Sequence, residues 1–540
     1  MKKGCLRRQE NRKDNTLNSK IKLLDCTLRD GGYINDWKFG YFTIKDIIKK
    51  LVESQVDYVE VGFLRDCEYD RNNAVFNNCG GIASIIPENR GRTMFTAMAL
   101  HNKYDIEKLE DYDGKTIDAL RITFHDYDIE EGLAYIEKVQ KKGYKVFCNP
   151  INIMGYTDAM ILELIQKVNR LQPYAFSIVD TFGSMMKEDL VRIYSLVEHN
   201  LDKKIVIGLH LHENLALSFS LAQEFLAIKA TDRECVIDAS MLGMGRAPGN
   251  LCMELIMDYM NKKMQGCYNV NPVLDGIDDH IEQLKQIEPW GYNTAYALSA
   301  KYNLHRNYGE FLLEKGRLRA KQINQILASI EPGKKTTYDE NYIERLYQEY
   351  QNHEVDDSVL LERLKEELAG KVILILAPGA SIIHEENKIR DYITQYSPVI
   401  FSANFAPENY KADYVFCSNA MRYDALGQKA KAGNVLVTSN LTDVCDEKEM
   451  LNYSELCFDE KGNFDNCVIM LLKLLIRLGI RKVAVAGFDG YEGDGKDYVF
   501  SYMTSQHTKG LEENVRIRRY VDDLQRQIAI SFLTKSVYEE

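Results

Sequence analysis

The first 240 or so residues switch eight times between a short apolar run and a segment of helical periodicity, and few folds accommodate that rhythm. The strand-like runs are Ile21–Leu24, Tyr58–Val61, Thr93–Ala97, Ala119–Ile122, Lys145–Cys148, Ala175–Val179, Ile205–Leu209 and Cys235–Ala239. Between them, apolar residues recur every three to four positions, as in Thr43–Ser54, Tyr135–Lys142 and Leu215–Ala230. Eight such β-then-α units in about 230 residues are the arithmetic of an α/β (β/α)8 TIM barrel. A doubly wound sheet would carry a glycine-rich turn after its first strand. Here that turn begins Arg29-Asp30-Gly31-Gly32.

A barrel keeps its chemistry at the C-terminal ends of its strands. The first strand delivers Arg29 and Asp30 there, and the seventh ends in His210-Leu211-His212. Side chains alternate along a strand, so an H-x-H pair sends both imidazoles to one face. Asp30, His210 and His212 form a facial oxygen and nitrogen set for a divalent cation, Mn2+ or Mg2+. Such a cation leaves positions that the carboxylate and keto oxygens of a 2-oxo acid can fill, and it stabilises an enolate as a Lewis acid. Arg29 stays protonated and can donate to the developing oxyanion.

These motifs, followed by Met244-Gly-Arg-Ala-Pro-Gly-Asn250, resemble the HMG-CoA lyase-like group of metal-dependent TIM barrels. That group includes 4-hydroxy-2-oxovalerate aldolase, HMG-CoA lyase and isopropylmalate synthase, and the resemblance spans roughly residues 20 to 330. It implies Arg29 as an oxyanion stabiliser, Asp30, His210 and His212 as metal ligands, and Asn250 as a further ligand. It implies Glu60 at the end of the second strand as a partner of the arginine, in a catalytic or an ion-pairing role. Asp180 and Thr181 match an Asp-Thr-x-Gly pattern that lines the substrate pocket or holds its loop, and Asn149 is a further pocket candidate. The resemblance also implies helices folding back over the barrel, a homo-oligomer and, for some aldolases, an aldehyde dehydrogenase partner.

The departure from the family is Tyr33. Aldolases of the group carry His, and the acetyl-CoA-dependent Claisen synthases Gln, at the third position after the metal-binding Asp. A tyrosine donates or relays a proton but is a poor base at neutral pH. The synthases also place an acid where this chain has Gly32. The expectation is therefore aldol or retro-aldol chemistry on pyruvate or a related 2-oxo acid with an aldehyde partner. The alternatives are a Claisen-type acyl-CoA-dependent synthase and a catalytically altered barrel serving as a binding module.

The remaining chain reads as a basic arm (1–20), the barrel (21–270), a helical extension (271–330), a charged helical linker (331–370) and a smaller Rossmann-like α/β domain (371–540). In the last, strand runs at Val372–Leu376, Val399–Ser402, Tyr414–Cys417, Val435–Thr438, Lys482–Ala486 and Ser531–Leu533 alternate with helical segments, notably Cys467–Leu478 and Leu511–Ile530. The Ala377-Pro-Gly379-Ala-Ser381 turn offers backbone N–H groups to a phosphate but has no Walker lysine. Asn404, Asn419 and Asp489 stand at other strand ends, where such sheets bind ligands. These segments loosely resemble Rossmann-like domains of bacterial surface-glycan proteins, which implies a nucleotide or nucleotide-sugar ligand and a role in glycan or modified-sugar synthesis.

The net charge of −12 argues against a nucleic-acid binder. No window approaches a membrane span of about 20 apolar residues, and the arm has no apolar core of a secretory signal. Twelve cysteines without C-x-x-C pairs, including Cys26, Cys148, Cys235 and Cys252, read as free thiols of a reducing cytoplasm.

Overall fold

The computed structural model describes residues 20–246, 248–428, 433–441, 450–458, 466–491 and 510–539. The basic arm lies outside them. The chain divides into two compact units. One runs to Arg306 and takes in Pro332–Tyr338; the other takes Asn307–Glu331 and the chain from Asp339 onward.

The first unit is a closed parallel barrel. Its strands are β1 (Ile21–Asp25), β2 (Tyr58–Leu64), β3 (Met94–Leu100), β4 (Ala119–Phe124), β5 (Lys145–Pro150), β6 (Ala175–Asp180), β7 (Val206–Leu211) and β8 (Cys235–Ala239). Neighbours pair in sequence order, and β1 closes the ring against both β8 (Ile21↔Cys235) and β2 (Leu24↔Tyr58). All eight expected strands form. Several reach one to three residues further than their apolar runs, because Asn149, Asp180 and His210 continue the pairing while their side chains are buried. A two-residue strand, Val75–Phe76, pairs with β2 outside the ring and was not expected.

The interior is layered by strand alternation. Leu24, Tyr58, Ala119, Phe147, Ala175, Val206 and Val236 form one apolar layer. Two residues further along five of these strands the inward positions are Glu60, Arg121, Asn149, Ser177 and Asp238, all buried. A polar layer thus lies directly beneath the barrel mouth. After β8, the indole N–H of Trp290 donates to the carbonyl of Leu242 (3.0 Å), tying the post-barrel segment to the loop that carries Asn250.

The second unit holds a seven-stranded, all-parallel sheet: β9 (Ile373–Leu376), β10 (Val399–Ala403), β11 (Tyr414–Cys417), β12 (Val435–Thr438), β13 (Met450–Leu451), β14 (Lys482–Ala486) and β15 (Ala529–Phe532). Their spatial order is β13-β12-β11-β10-β9-β14-β15, so the winding reverses between β9 and β14. The apolar helix Cys467–Arg477 covers one face. The expected strands all form; β13 is additional, and the last helix ends at Gln525, earlier than its pattern suggested. The segment read as a linker carries two helices, Glu340–Gln351 and Ser358–Leu368. Among the described residues no helix is long and apolar enough to cross a membrane, and none of the described cysteines forms a disulfide.

Candidate active site

At the C-terminal end of the barrel the ligand atoms of Asp30, His210 and His212 lie within 4.8 Å of one another, and all three residues are buried. Each is held by a specific partner. Arg29 Nη1 donates to Asp30 Oδ1 (2.5 Å), and the amide of Asn250 donates to Asp30 Oδ2 (2.8 Å). His210 Nδ1 faces Asp238 Oδ2 at 3.0 Å, and His212 Nδ1 faces the carbonyl of Gly249 at 3.2 Å. A carbonyl can only accept, so His212 carries its proton on Nδ1 and keeps the Nε2 lone pair for a ligand. The ionised Asp238 imposes the same tautomer on His210.

The protonation states suit a cation. Burial alone would raise Asp30, but Arg29 foremost, with the two histidines and Asn250, holds its carboxyl well below the usual range. Burial pushes His212 down to about 3, only partly opposed by Asp30, so the imidazole is neutral. Burial also works against Asp238, yet the Arg121 charge and the His210 hydrogen bond keep it lowered and ionised.

Behind the donors the polar layer forms one chain of charge. Glu60 Oε2 accepts from Arg29 Nε (2.8 Å) and from Arg121 Nη1 (2.9 Å). Arg121 Nη2 pairs with Asp238, which holds His210. Asn149, its amide oxygen turned toward Arg121, accepts from Nε (3.2 Å) and Nη2 (2.9 Å) and donates to Ser177. Three carboxylates (Asp30, Glu60, Asp238) therefore face two guanidinium groups (Arg29, Arg121), an excess of one carboxylate in a buried cluster. Two buried acceptors, Asn250 Oδ1 and Glu60 Oε1, have no hydrogen-bond partner. An excess of carboxylate over guanidinium, two imidazole lone pairs, a carboxylate and an orphaned amide oxygen fit a divalent cation.

The family question is decided by this region. Residues 20–280 match the HMGL-like family model.

The barrel matches the HMGL-like family model.

The HMGL-like domain is 23% identical over 256 residues to the oxaloacetate decarboxylase of Mycobacterium tuberculosis, a match covering 45% of this chain and 70% of that protein. It is 22% identical over 276 residues to the 4-hydroxy-2-oxovalerate aldolase of a Marinomonas species, covering 49% of this chain and 78% of the relative. Among solved structures, Bacillus subtilis HMG-CoA lyase superposes with a TM-score of 0.40 at 15% identity, over 50% of this chain and 94% of that one.

Other expected site residues of the HMGL-like domain fall beside this cluster. Asp180 accepts from the backbone amides of Ser184 (2.9 Å) and Met185 (3.1 Å), and Thr181 Oγ1 accepts from Asn152 N (2.7 Å). Both fasten loops of the mouth. Tyr33 is partly exposed and packs edge-on against Trp37 (4.7 Å between centroids) and Phe63 (6.3 Å). Gly32 has a packing reason: a Cβ there would stand 2.0 Å from the Trp37 indole.

Two members of the charge chain, Arg121 and Asp238, were not anticipated. The signal was available. Each is a charged residue inside an otherwise apolar strand run, Ala-Leu-Arg-Ile and Val-Ile-Asp-Ala, at the inward parity set by Ala119 and Val236.

The strand ends of the second unit bind themselves. Gly379 N donates to the Gly487 carbonyl (2.8 Å), and Ser381 N donates to Asp489 Oδ2 (2.8 Å). Ser381 Oγ bonds Asp489 Oδ1 (2.5 Å) and Thr534 Oγ1 (2.8 Å). A Cβ at Gly379 would lie 2.4 Å from the Gly487 carbonyl oxygen, so close backbone approach explains that glycine. The Gly379 and Ser381 amides are thus bonded within the protein, to the Gly487 carbonyl and the Asp489 carboxylate. Asn404 accepts from Ser418 N (3.0 Å), and Asn419 caps the Ala420–Ala425 helix through Arg422 N (3.1 Å).

Proposed function

We propose that the barrel is a divalent-metal-dependent carbon–carbon lyase acting on pyruvate or a related 2-oxo acid in the aldol or retro-aldol direction, with an aldehyde as second substrate. The observation that carries this reading is the buried donor set of Asp30, His210, His212 and Asn250 joined to Arg29. A divalent cation, Mn2+ or Mg2+, held by those four residues would supply Lewis acidity toward the keto oxygen of the 2-oxo acid. Arg29 is fixed by Glu60 and Asp30 through Nε and Nη1, which leaves Nη2 as the donor for charge developing on the substrate. Arg121 and Asp238 hold His210 in the tautomer that presents Nε2. Glu60 Oε1 is a buried carboxylate oxygen without a partner, and it can accept a hydroxyl proton.

The aldol reading is favoured over a Claisen synthase because Trp37 fills the space where a side chain at position 32 would project. Deuterium exchange into the pyruvate methyl group, followed by NMR with and without Mn2+ or Mg2+, tests it. Metal-dependent exchange that disappears in His210→Ala supports the reading. Absence of exchange by a wild-type chain that binds Mn2+ rejects pyruvate as the donor.

For the second unit we infer a nucleotide or nucleotide-sugar ligand at the C-terminal edge of its parallel sheet, in surface-glycan or modified-sugar synthesis. The candidate contacts are Gly379, Ser381, Asn404, Asn419 and Asp489, which stand at its strand ends. Calorimetry of the full chain with nucleoside diphosphate sugars checks it; no heat of binding removes it.

A further inference from the structure

Arg65 follows β2 directly and stands at the barrel mouth. Its guanidinium carbon lies 4.1 Å from the centroid of Phe63 and 4.6 Å from that of Trp37. No carboxylate pairs with it among the described residues, and its buried Nε has no hydrogen-bond partner. The nearby acids are engaged elsewhere. Asp66 pairs with Lys108 at 2.6 Å and accepts from the Asp105 backbone N–H (3.1 Å), and Asp36 faces Lys38 at 3.7 Å. An arginine in a half-buried setting normally finds an anion, because its charge loses hydration and aromatic faces return only part of that loss.

The platform under Arg65 is held in an unfavourable backbone. Asp36 and Trp37 both have left-handed φ, 52° and 59°. For a tryptophan this is costly and persists only where the surroundings over-determine it. Here they do. Trp37 N donates to the Gly32 carbonyl (2.8 Å), and its indole N–H donates to the Arg29 carbonyl (2.7 Å). The ring is thereby locked to the same turn that delivers Arg29 and Asp30. Arg29 itself lies 6.0 Å from the Phe63 centroid, so both guanidinium groups sit on one ring. A second mouth cation, Arg246, lies 5.3 Å from the centroid of Tyr33, the third ring of the cluster.

We propose that Arg65, flattened on Trp37 and Phe63, binds an anionic group of the second substrate, a carboxylate or a phosphate on the aldehyde. A planar guanidinium with a free edge recognises both groups by paired hydrogen bonds. Its place on the ring shared with Arg29 sets the anion apart from the reacting carbonyl, so the aldehyde would carry its charge at the end remote from the new bond. This assignment rests on the aldol reading for its choice of substrate, but the anion site itself can be tested without turnover.

One of the two tryptophans of the chain is Trp37. Tryptophan fluorescence of the full-length protein is therefore titrated with glyceraldehyde 3-phosphate, succinate semialdehyde and the neutral propanal. The wild type is expected to bind at least one charged aldehyde tenfold or more tightly than propanal, and the stronger of the two separates phosphate from carboxylate. Arg65→Gln is expected to bind all three alike, while Arg65→Lys, which keeps the charge without the planar fork, retains part of the preference. Equal affinities in the wild type, or an undiminished preference in Arg65→Gln, would overturn the proposal. Pyruvate exchange measured on the same wild-type preparation separates the two readings. Exchange without anion preference removes the Arg65 site alone; anion preference without exchange removes pyruvate as the donor and leaves the site.

Discussion

The mouth of the barrel and the strand ends of the second sheet are built from similar residues, yet they differ in what they leave unsatisfied. At the barrel mouth a chain of five buried charges ends in donors with spare capacity: two imidazole lone pairs, the orphaned Asn250 Oδ1 and an excess of carboxylate over guanidinium. In the second sheet, Ser381, Asp489, Thr534 and the backbone of Gly379 and Gly487 close on one another. The lesson is that polar residues at strand ends mark a ligand site when their bonding is incomplete, and a structural lock when it is complete.

That contrast can be broken most severely at the donors. His210→Ala is expected to reduce metal-dependent pyruvate exchange by ~10³-fold or more, the loss of several kcal/mol of charge stabilisation. NMR exchange rates measure it, with circular dichroism to verify the fold. Arg121→Met should come next, and in stability. It strands Glu60 and Asp238 in a buried cluster, at a cost of about 3–5 kcal/mol read from urea unfolding. Asp238→Asn keeps the shape but removes the charge that fixes the His210 tautomer. Calorimetric Mn2+ affinity should fall roughly 10–100-fold, whereas a purely structural Asp238 would change stability and leave affinity alone.

The opposite outcome sharpens the comparison in the second unit. Ser381→Ala removes hydroxyl bonds to Asp489 and Thr534 and should cost about 1 kcal/mol of stability, with pyruvate exchange unchanged. The smallest effect is one of pH. Burial lifts Asp180 to about 7, above its ordinary 3.8, despite the two amides it accepts from. The protonated form therefore favours the fold. Its contribution is complete below about pH 4 and is lost as pH rises through about 7. Thermal melts of wild type against Asp180→Asn should show a wild-type stability that declines across that window relative to the variant.

The sequence carried the barrel well because strands that are buried on both faces leave an unmistakable apolar run. It was less informative at the C-terminal ends of those runs. Asn149, Asp180 and His210 broke the apolar pattern and read as strand ends, although they continue the ladder. The donors Asp30, His210 and His212 were legible because their spacing carries chemistry by itself. The turn at Ala377–Ser381 shows a related limit: a glycine turn after a strand advertises free amides, and nothing local reveals that a carboxylate more than 100 residues away accepts from Ser381 N.

By itself, then, the sequence determined the eightfold alternation and the inward parity of each strand, and it marked the candidate donors, since the strand patterns, the Arg-Asp turn and the His-x-His pair are each local. Only the tertiary structure decided which charges meet. Arg121 on β4 joins Glu60 on β2 to Asp238 on β8, because ring closure carries inward side chains of non-adjacent strands into one layer. The same closure left Arg65 over Trp37 and Phe63 with no carboxylate paired to it among the described residues, which no linear pattern encodes.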